Sequence, residues 1–210
     1  WKKNTEEERL LGVSLTGIMD NIMMSGKGKE SRKNLPNILE SLRMTAVETN
    51  LEYSKKFKIP ASTAITCVKP SGTVSQLCNS ASGIHARHSR FYVRTVRGDN
   101  KDPLTQFMQN QGIPNEPCVM KPDTTTVFSF PMRSPDSCVT RHHMSAIEQL
   151  EMWLIYQRHW CEHKPSVTVS VKSDEWVDVG AFVFKNFDEM SGVSFLPYDD
   201  HVYQQAPYQD

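Results

Sequence analysis

Short β-rich runs alternate with helical patterns along this chain, and that alternation restricts the fold more than any other property of the sequence. Strand-forming residues occupy positions 65–68, 91–96, 125–130 and 166–171. Apolar residues at helical spacing lie between these runs, most clearly after Ser145, which forms a capping box with Glu148. Strands that alternate with helices, instead of following one another in a block, predict an α/β layer or barrel.

The first part of the chain is predicted to be helical. Thr5 to Glu8 read as a capping box, which predicts a first helix that continues through the following apolar residues. These residues are Leu10, Leu11, Val13, Leu15 and Ile18. A second helix is predicted from Pro36, in its early turns, to Phe57, because Pro60 ends the pattern.

Charge and cysteine content exclude several classes of protein. The 24 basic and 24 acidic side chains give a formal net charge of zero, so no long-range field attracts nucleic acid or an anionic membrane. No apolar run approaches the roughly 20 residues that span a bilayer. Five cysteines without a CxxC pair indicate reduced thiols. We therefore expect a cytoplasmic protein with no nucleic-acid or membrane partner.

Both ends of the sequence look cut. The chain begins at Trp1 without a Met, inside a charged run, and it stops at Asp210 without a terminating signal. We therefore predict that residues 1–210 are a single partial domain.

The most informative stretch is a hydroxyl-rich loop between a predicted strand and a predicted helical turn. It reads Lys69-Pro70-Ser71-Gly72-Thr73-Val74-Ser75. When such a loop connects a strand to the start of a helix, its free backbone amides point towards one position. Amides in this arrangement can bind a phosphate group. The glycine allows close approach, and the serine, threonine and lysine side chains add donors. It is not a Walker A loop, because the GxxxxGK[ST] spacing is absent, and an ordinary capped turn is the alternative.

Histidines and cysteines give weaker signals. His159 and His163 are four residues apart and could pair on a metal, but further ligands at a recognisable spacing are absent, so we predict no metal site. A helix C-terminus is the alternative reading for this pair. Cys67 and Cys78 flank the loop, and packing is the commoner role of such thiols.

A histidine- and arginine-rich segment follows the loop. It contains Ser82-Gly83-Ile84-His85 and continues through Arg87, His88 and Arg90. Its cationic side chains either line a pocket for an anionic substrate or cofactor, or form a solvated loop.

Several motifs, taken in order, resemble one family. They are the loop at 69–75, Ser-Gly-Ile-His at 82–85, Ser-Arg-Phe-Tyr-Val-Arg at 89–94, Ser-Val-Thr-Val at 166–169, Ser-Phe-Leu-Pro at 194–197 and Tyr-Gln-Gln-Ala-Pro-Tyr at 203–208. Residues 12–18 also look like a helix of that family. Together they resemble the monomeric adenosylcobalamin-dependent (class II) ribonucleoside-triphosphate reductases.

The resemblance implies a ten-stranded α/β barrel of the ribonucleotide reductase type, of which this chain is the C-terminal portion. It implies adenosylcobalamin as cofactor, a ribonucleoside triphosphate as substrate, an external dithiol such as thioredoxin as reductant, and a monomer. In the family, cobalt–carbon cleavage generates a thiyl radical on a cysteine, and the radical takes the ribose 3'-hydrogen. The loop at 69–75 would hold the substrate phosphates. The radical cysteine would lie upstream of Trp1, so no cysteine in this chain is predicted to be catalytic.

Two alternatives remain open. A class I large subunit shares the barrel, but its phosphate loop usually reads Pro-Thr-Ala-Thr-Ser, which the sequence at 69–75 does not match. A non-catalytic nucleotide-binding module could keep the loop without the chemistry.

Overall fold

In the computed structural model, the described residues are 1–72, 74–198 and 204–209, and they divide into two compact units. The first unit comprises Trp1–Arg87 and Ser137–Tyr198. The second comprises His88–Asp136 and Asp199–Asp210, of which 204–209 are described. Among the described residues, no helix is both long and apolar enough to span a membrane.

The first unit is built from two strand–helix–strand segments. In one, β1 (Val13–Ser14) leads through α2 (Lys29–Phe57) to β2 (Thr66–Cys67), and the two strands pair in parallel. In the other, β6 (Thr168–Val171) leads through α6 (Trp176–Lys185) to β7 (Ser194–Pro197), again in parallel. Parallel neighbours joined by a helix define a mixed α/β fold, so the α/β prediction is confirmed at that level.

The apolar core of this unit lies around α5 (Ala146–His159). Its capping box is present as predicted: Ser145 Oγ accepts from the Glu148 amide at 3.2 Å, and Glu148 accepts from the Ser145 amide at 2.8 Å. Trp153 and Tyr156 are fully buried, and their polar atoms donate to the backbone oxygens of Pro165 and Met24. The aromatic side chains of this helix therefore serve core packing.

The second unit is an antiparallel sheet with strand order β4–β5–β3–β8. Its strands are β3 (Phe91–Asp99), β4 (Asn115–Pro117), β5 (Thr125–Arg133) and β8 (Tyr208–Gln209). β3 and β5 pair over their whole lengths. α4 (Pro103–Asn110) lies between β3 and β4 in sequence, and Asp102 caps it by accepting from the Leu104 amide at 2.9 Å.

The predicted first helix is wrong. The helix α1 (Lys2–Glu8) already ends before Leu10, and Thr5 lies inside it with its hydroxyl donating to the Trp1 carbonyl. The segment that follows is extended, because the Val13 amide donates to the Ile65 carbonyl at 2.9 Å as part of parallel pairing with β2. The resemblance of residues 12–18 to a helix is wrong for the same reason: only residues 18–20 form a short 3-10 turn.

The other predicted elements are present with shifted ends. α2 ends at Phe57 as predicted but begins at Lys29, so Pro36 lies inside the helix. The four predicted β-rich runs coincide with β2, β3, β5 and β6. α3 (Val74–Leu77) is the predicted helical turn after the loop.

Candidate functional site

The loop at 69–72 connects β2 to the single turn of α3 in the first unit. Ser71 Oγ accepts from the Ser75 amide at 3.1 Å, which caps this turn. Thr73 lies outside the described residues, so its predicted contribution has no structural account. The predicted order of strand, loop and helical turn is present.

Two backbone amides of the loop remain available to a ligand. Within the described part of the chain, neither the Gly72 nor the Val74 amide has a hydrogen-bond acceptor. Gly72 also has open space where a side chain would begin. Free amides beside an unobstructed backbone suit an anion such as phosphate.

Other predicted donors are used inside the protein. The Ser71 amide donates to Ser82 Oγ at 3.0 Å. Ser75 is fully buried, and its hydroxyl lies 2.9 Å from Thr16 Oγ1. These groups hold the loop in place, so the donors open to a ligand are fewer than the sequence suggests.

The segment 82–85 lies against the loop. Gly83 has φ +52°, and a Cβ there would lie 2.8 Å from the Lys69 carbonyl oxygen, so this position requires glycine. Ile84 is buried in the core. Residues 82–85, which were predicted to line a pocket, thus contact the backbone of the loop.

His85 links this segment to β6. Its Nδ1 lies 3.0 Å from the Ser82 carbonyl, and its Nε2 accepts from the Thr168 amide at 3.1 Å. A ring that donates from Nδ1 and accepts at Nε2 is the neutral tautomer. Burial lowers the pKa of His85, with the Ser82 hydrogen bond acting in the opposite direction. His85 is therefore an uncharged bridge.

A buried ion pair, not foreseen from the sequence, fixes the chain just after α3. Arg87 donates to both carboxylate oxygens of Asp20 at 2.8 Å, and it also donates to the Asn79 carbonyl at 2.6 Å. Asp20 Oδ2 in turn accepts from the Ala81 amide at 2.7 Å. Arg87 is only 5% exposed, so it belongs neither to a solvated loop nor to an open cationic pocket.

Thr16 is the second contact that sequence reasoning missed. Its hydroxyl donates to the Ala81 carbonyl at 3.1 Å and accepts from the Gly83 amide at 3.0 Å. Because its single proton goes to Ala81, the Ser75 hydroxyl is the donor to Thr16. Thr16 and Asp20 are about 60 residues from their partners in sequence, and no local pattern marks such contacts.

A cleft of about 440 Å³ opens beside the start of the loop, between the segment that precedes β1 and the end of β2. Its walls include Leu11, Gly12, Cys67, Lys69, Pro70 and Lys164. Val68 packs into the core around α5, whereas its neighbour Cys67 is outside that cluster.

The histidine pair and the buried thiols have structural partners. His159 Nδ1 lies 2.7 Å from Glu40, and His163 Nε2 lies 2.7 Å from the Leu11 carbonyl. Burial, together with nearby Cys67, raises the pKa of Cys161 to about 12, so this thiol stays protonated. Cys78, in contrast, is exposed. No group of three or more potential metal ligands occurs among the residues that the structure describes.

The fold is that of a class II ribonucleotide reductase. A crystal structure of a B12-dependent (class II) ribonucleotide reductase superposes with a TM-score of 0.84 at 23% sequence identity. The match covers 99% of this chain and 32% of that protein. At this identity the likeness establishes the fold.

Sequence comparison then identifies the particular relatives. The adenosylcobalamin-dependent ribonucleoside-triphosphate reductase of Euglena gracilis is 28% identical over 214 residues, which cover 100% of this chain and 29% of that protein. The enzyme of the same name from Levilactobacillus brevis is 26% identical, with 98% of this chain and 31% of that protein covered. A probable enzyme of this kind from Dictyostelium discoideum is 29% identical, and the match covers 96% of this chain and 26% of that protein.

The resemblance inferred from the motifs is thus confirmed along nearly the whole chain. No protein-family model matches the sequence. The chain spans about 30% of the length of the reductases that it matches.

Proposed function

We propose that residues 1–210 are the C-terminal portion of the catalytic barrel of an adenosylcobalamin-dependent ribonucleoside-triphosphate reductase, and that loop 69–75 binds the substrate phosphates. The observation that carries the proposal is that the Gly72 and Val74 amides have no acceptor among the described residues, in a loop whose Ser71 amide and hydroxyl make internal hydrogen bonds. Fixed amides without internal partners favour an anionic ligand at no reorganisation cost.

The parallel strand pairs support the barrel in this proposal. β1–β2 and β6–β7 are each joined through a helix, which is the repeating connection of an α/β barrel. We take residues 1–210 as one partial domain of a ten-stranded barrel, whose remaining strands belong to the rest of the protein.

The residues of this chain position substrate. The loop amides and Lys69 bind phosphate, and the contacts of Thr16, Ser82 and Gly83 keep the loop in its conformation. Adenosylcobalamin, when bound, supplies the radical that starts the reaction.

Further partners follow from the same proposal. The reductant is an external dithiol such as thioredoxin, the complete enzyme is a monomer, and it acts in the cytoplasm. The radical cysteine is contributed from upstream of Trp1.

The test is anaerobic reduction of a ribonucleoside triphosphate by the complete protein with a dithiol reductant, with and without adenosylcobalamin. We expect deoxynucleotide only when the cobalamin is present and without any second subunit. Product that requires a radical-generating partner instead identifies a class I enzyme. Absence of product under both conditions favours a nucleotide-binding module.

The loop is tested separately by Gly72→Val in the complete protein. A side chain at this open position obstructs the approach of phosphate to the backbone, so KM for the nucleotide should rise roughly tenfold or more. Unchanged KM in a folded Gly72→Val protein contradicts the assignment of the loop.

A further inference from the structure

The buried ion pair between Asp20 and Arg87 connects two segments of the first unit that are far apart in the sequence. The Asp20 side chain is 16% exposed and the Arg87 side chain is 4% exposed. The guanidinium donates to both carboxylate oxygens, at 2.8 Å each, in a bidentate geometry that fixes the two side chains relative to each other. A buried pair of this kind adds little net stability, because both charges lose their hydration, but it can select one conformation.

Both members of the pair also bond to segment 79–81, which follows α3. Asp20 Oδ2 accepts from the Ala81 amide at 2.7 Å, and Arg87 donates to the carbonyl and side-chain oxygens of Asn79 at 2.6 and 3.3 Å. Asn79 has φ +48°, so the chain turns here through the left-handed region, which costs free energy for residues other than glycine. The ion pair therefore holds a turn that is unfavourable by itself.

This turn leads directly to the residue that holds the loop. Ala81 precedes Ser82, whose Oγ accepts from the Ser71 amide at 3.0 Å. Ser71 precedes Gly72, whose amide has no acceptor among the described residues. The position of the Gly72 amide therefore depends on the backbone at 81–82, which the Asp20 carboxylate fixes.

We propose that Asp20 and Arg87 are positioning residues for the nucleotide: through segment 79–82 they keep the Gly72 amide where it meets a substrate phosphate. This inference rests on the proposed function, since it requires that the loop at 69–75 binds phosphate. It assigns a role in substrate binding to two residues outside the loop. A purely structural role would change the amount of folded protein, whereas a positioning role changes the affinity for the nucleotide.

The test measures KM and kcat of the complete protein for a ribonucleoside triphosphate, together with the thermal unfolding midpoint. Asp20→Asn replaces one carboxylate oxygen by an amide nitrogen, so Arg87 loses one acceptor and its counter-charge. Because an unpaired buried guanidinium can unfold the protein, the double variant Asp20→Asn/Arg87→Met removes both charges. Glu189→Gln, which breaks the half-exposed pair with Arg158 in the same unit, is the matched control.

The expected result is a change in KM that is separate from kcat. We expect both Asp20 variants to raise KM about fivefold to tenfold, the size of one lost hydrogen bond to the ligand, with kcat within about twofold of its original value. A less folded preparation contains fewer active molecules, so it lowers the apparent kcat and leaves KM unchanged. Glu189→Gln should leave both constants unchanged.

The outcomes separate this inference from the proposed function. If Gly72→Val raises KM but the Asp20 variants lower only kcat, or change neither constant, the ion pair is purely structural and the loop assignment stands. If Gly72→Val leaves KM unchanged, the loop assignment is wrong, and this inference is wrong with it, whatever the Asp20 variants do.

Discussion

The two glycines near the loop, Gly72 and Gly83, have different surroundings and backbone conformations. Gly72 has open space around it and serves the ligand, whereas Gly83 has a positive φ and touches the Lys69 carbonyl. The sequence places both in turn-like motifs and does not distinguish them. Glycine at 72 is thus proposed for binding, and glycine at 83 is required for folding.

His85 predicts a pH dependence of stability at the residue scale. Its pKa is lowered in the folded protein, so the unfolded chain binds the proton first as the pH falls. Its contribution to stability is complete above the ordinary histidine pKa of 6.5 and is lost as the pH falls toward the folded value.

The measurement is the thermal unfolding midpoint of the complete protein and of His85→Gln, from about pH 7.5 to about pH 5. We expect the midpoint of the unchanged protein to fall more steeply below pH 6.5 than that of the variant, since glutamine has no ionisable group. Parallel curves would show that His85 is not a neutral bridge between Ser82 and Thr168.

At the scale of elements, patterns with one clear period were predicted well. The capping box of α5 and the β-rich runs gave the correct element types, because each buries one face against a neighbour. The first helix was wrong because residues 11–15 also alternate with a period of two, and pairing with β2 selected the extended form. A short apolar run fits both periods, and only its partner decides between them.

The packing of α4 on β3 gives a prediction at this scale. A Cβ on Gly98 would collide with Thr105 Oγ1, and Thr105 is only 1% exposed. Gly98→Ala should therefore lower the local stability of the sheet by about 1–3 kcal/mol. Hydrogen exchange of the β3 amides in the complete protein measures this change.

Thr105→Ala provides the matched control. It removes the colliding oxygen, so the double variant should regain much of the protection lost in Gly98→Ala. Additive losses in the two variants would mean that this collision is not the cause.

At the scale of the whole molecule, several large apolar side chains are exposed on the surface of this chain. Leu77, Val177 and Phe184 are each more than four-fifths exposed, and they belong to α3 and α6 of the first unit. Among the described residues, β1 and β2 also form a sheet of two strands. Exposed large apolar side chains and open strand edges favour association with other chains when nothing covers them.

We therefore expect the isolated 1–210 chain to be poorly soluble or molten. Calorimetry of the purified chain should show no sharp transition, while the complete protein should melt cooperatively. A sharp cooperative melt of residues 1–210 alone would contradict this prediction.

The sequence by itself determined the alternation of strands and helices, the position of the loop at 69–75 and the resemblance to a reductase family, because these depend on local pattern and on the order of motifs. Only the tertiary structure decided which polar groups of the loop remain free. Ser75 and the Ser71 amide are used by Thr16 and Ser82, which lie elsewhere in the sequence. Each buried donor bonds to an acceptor that is close in space. When that acceptor lies far away in the sequence, the local pattern cannot identify it.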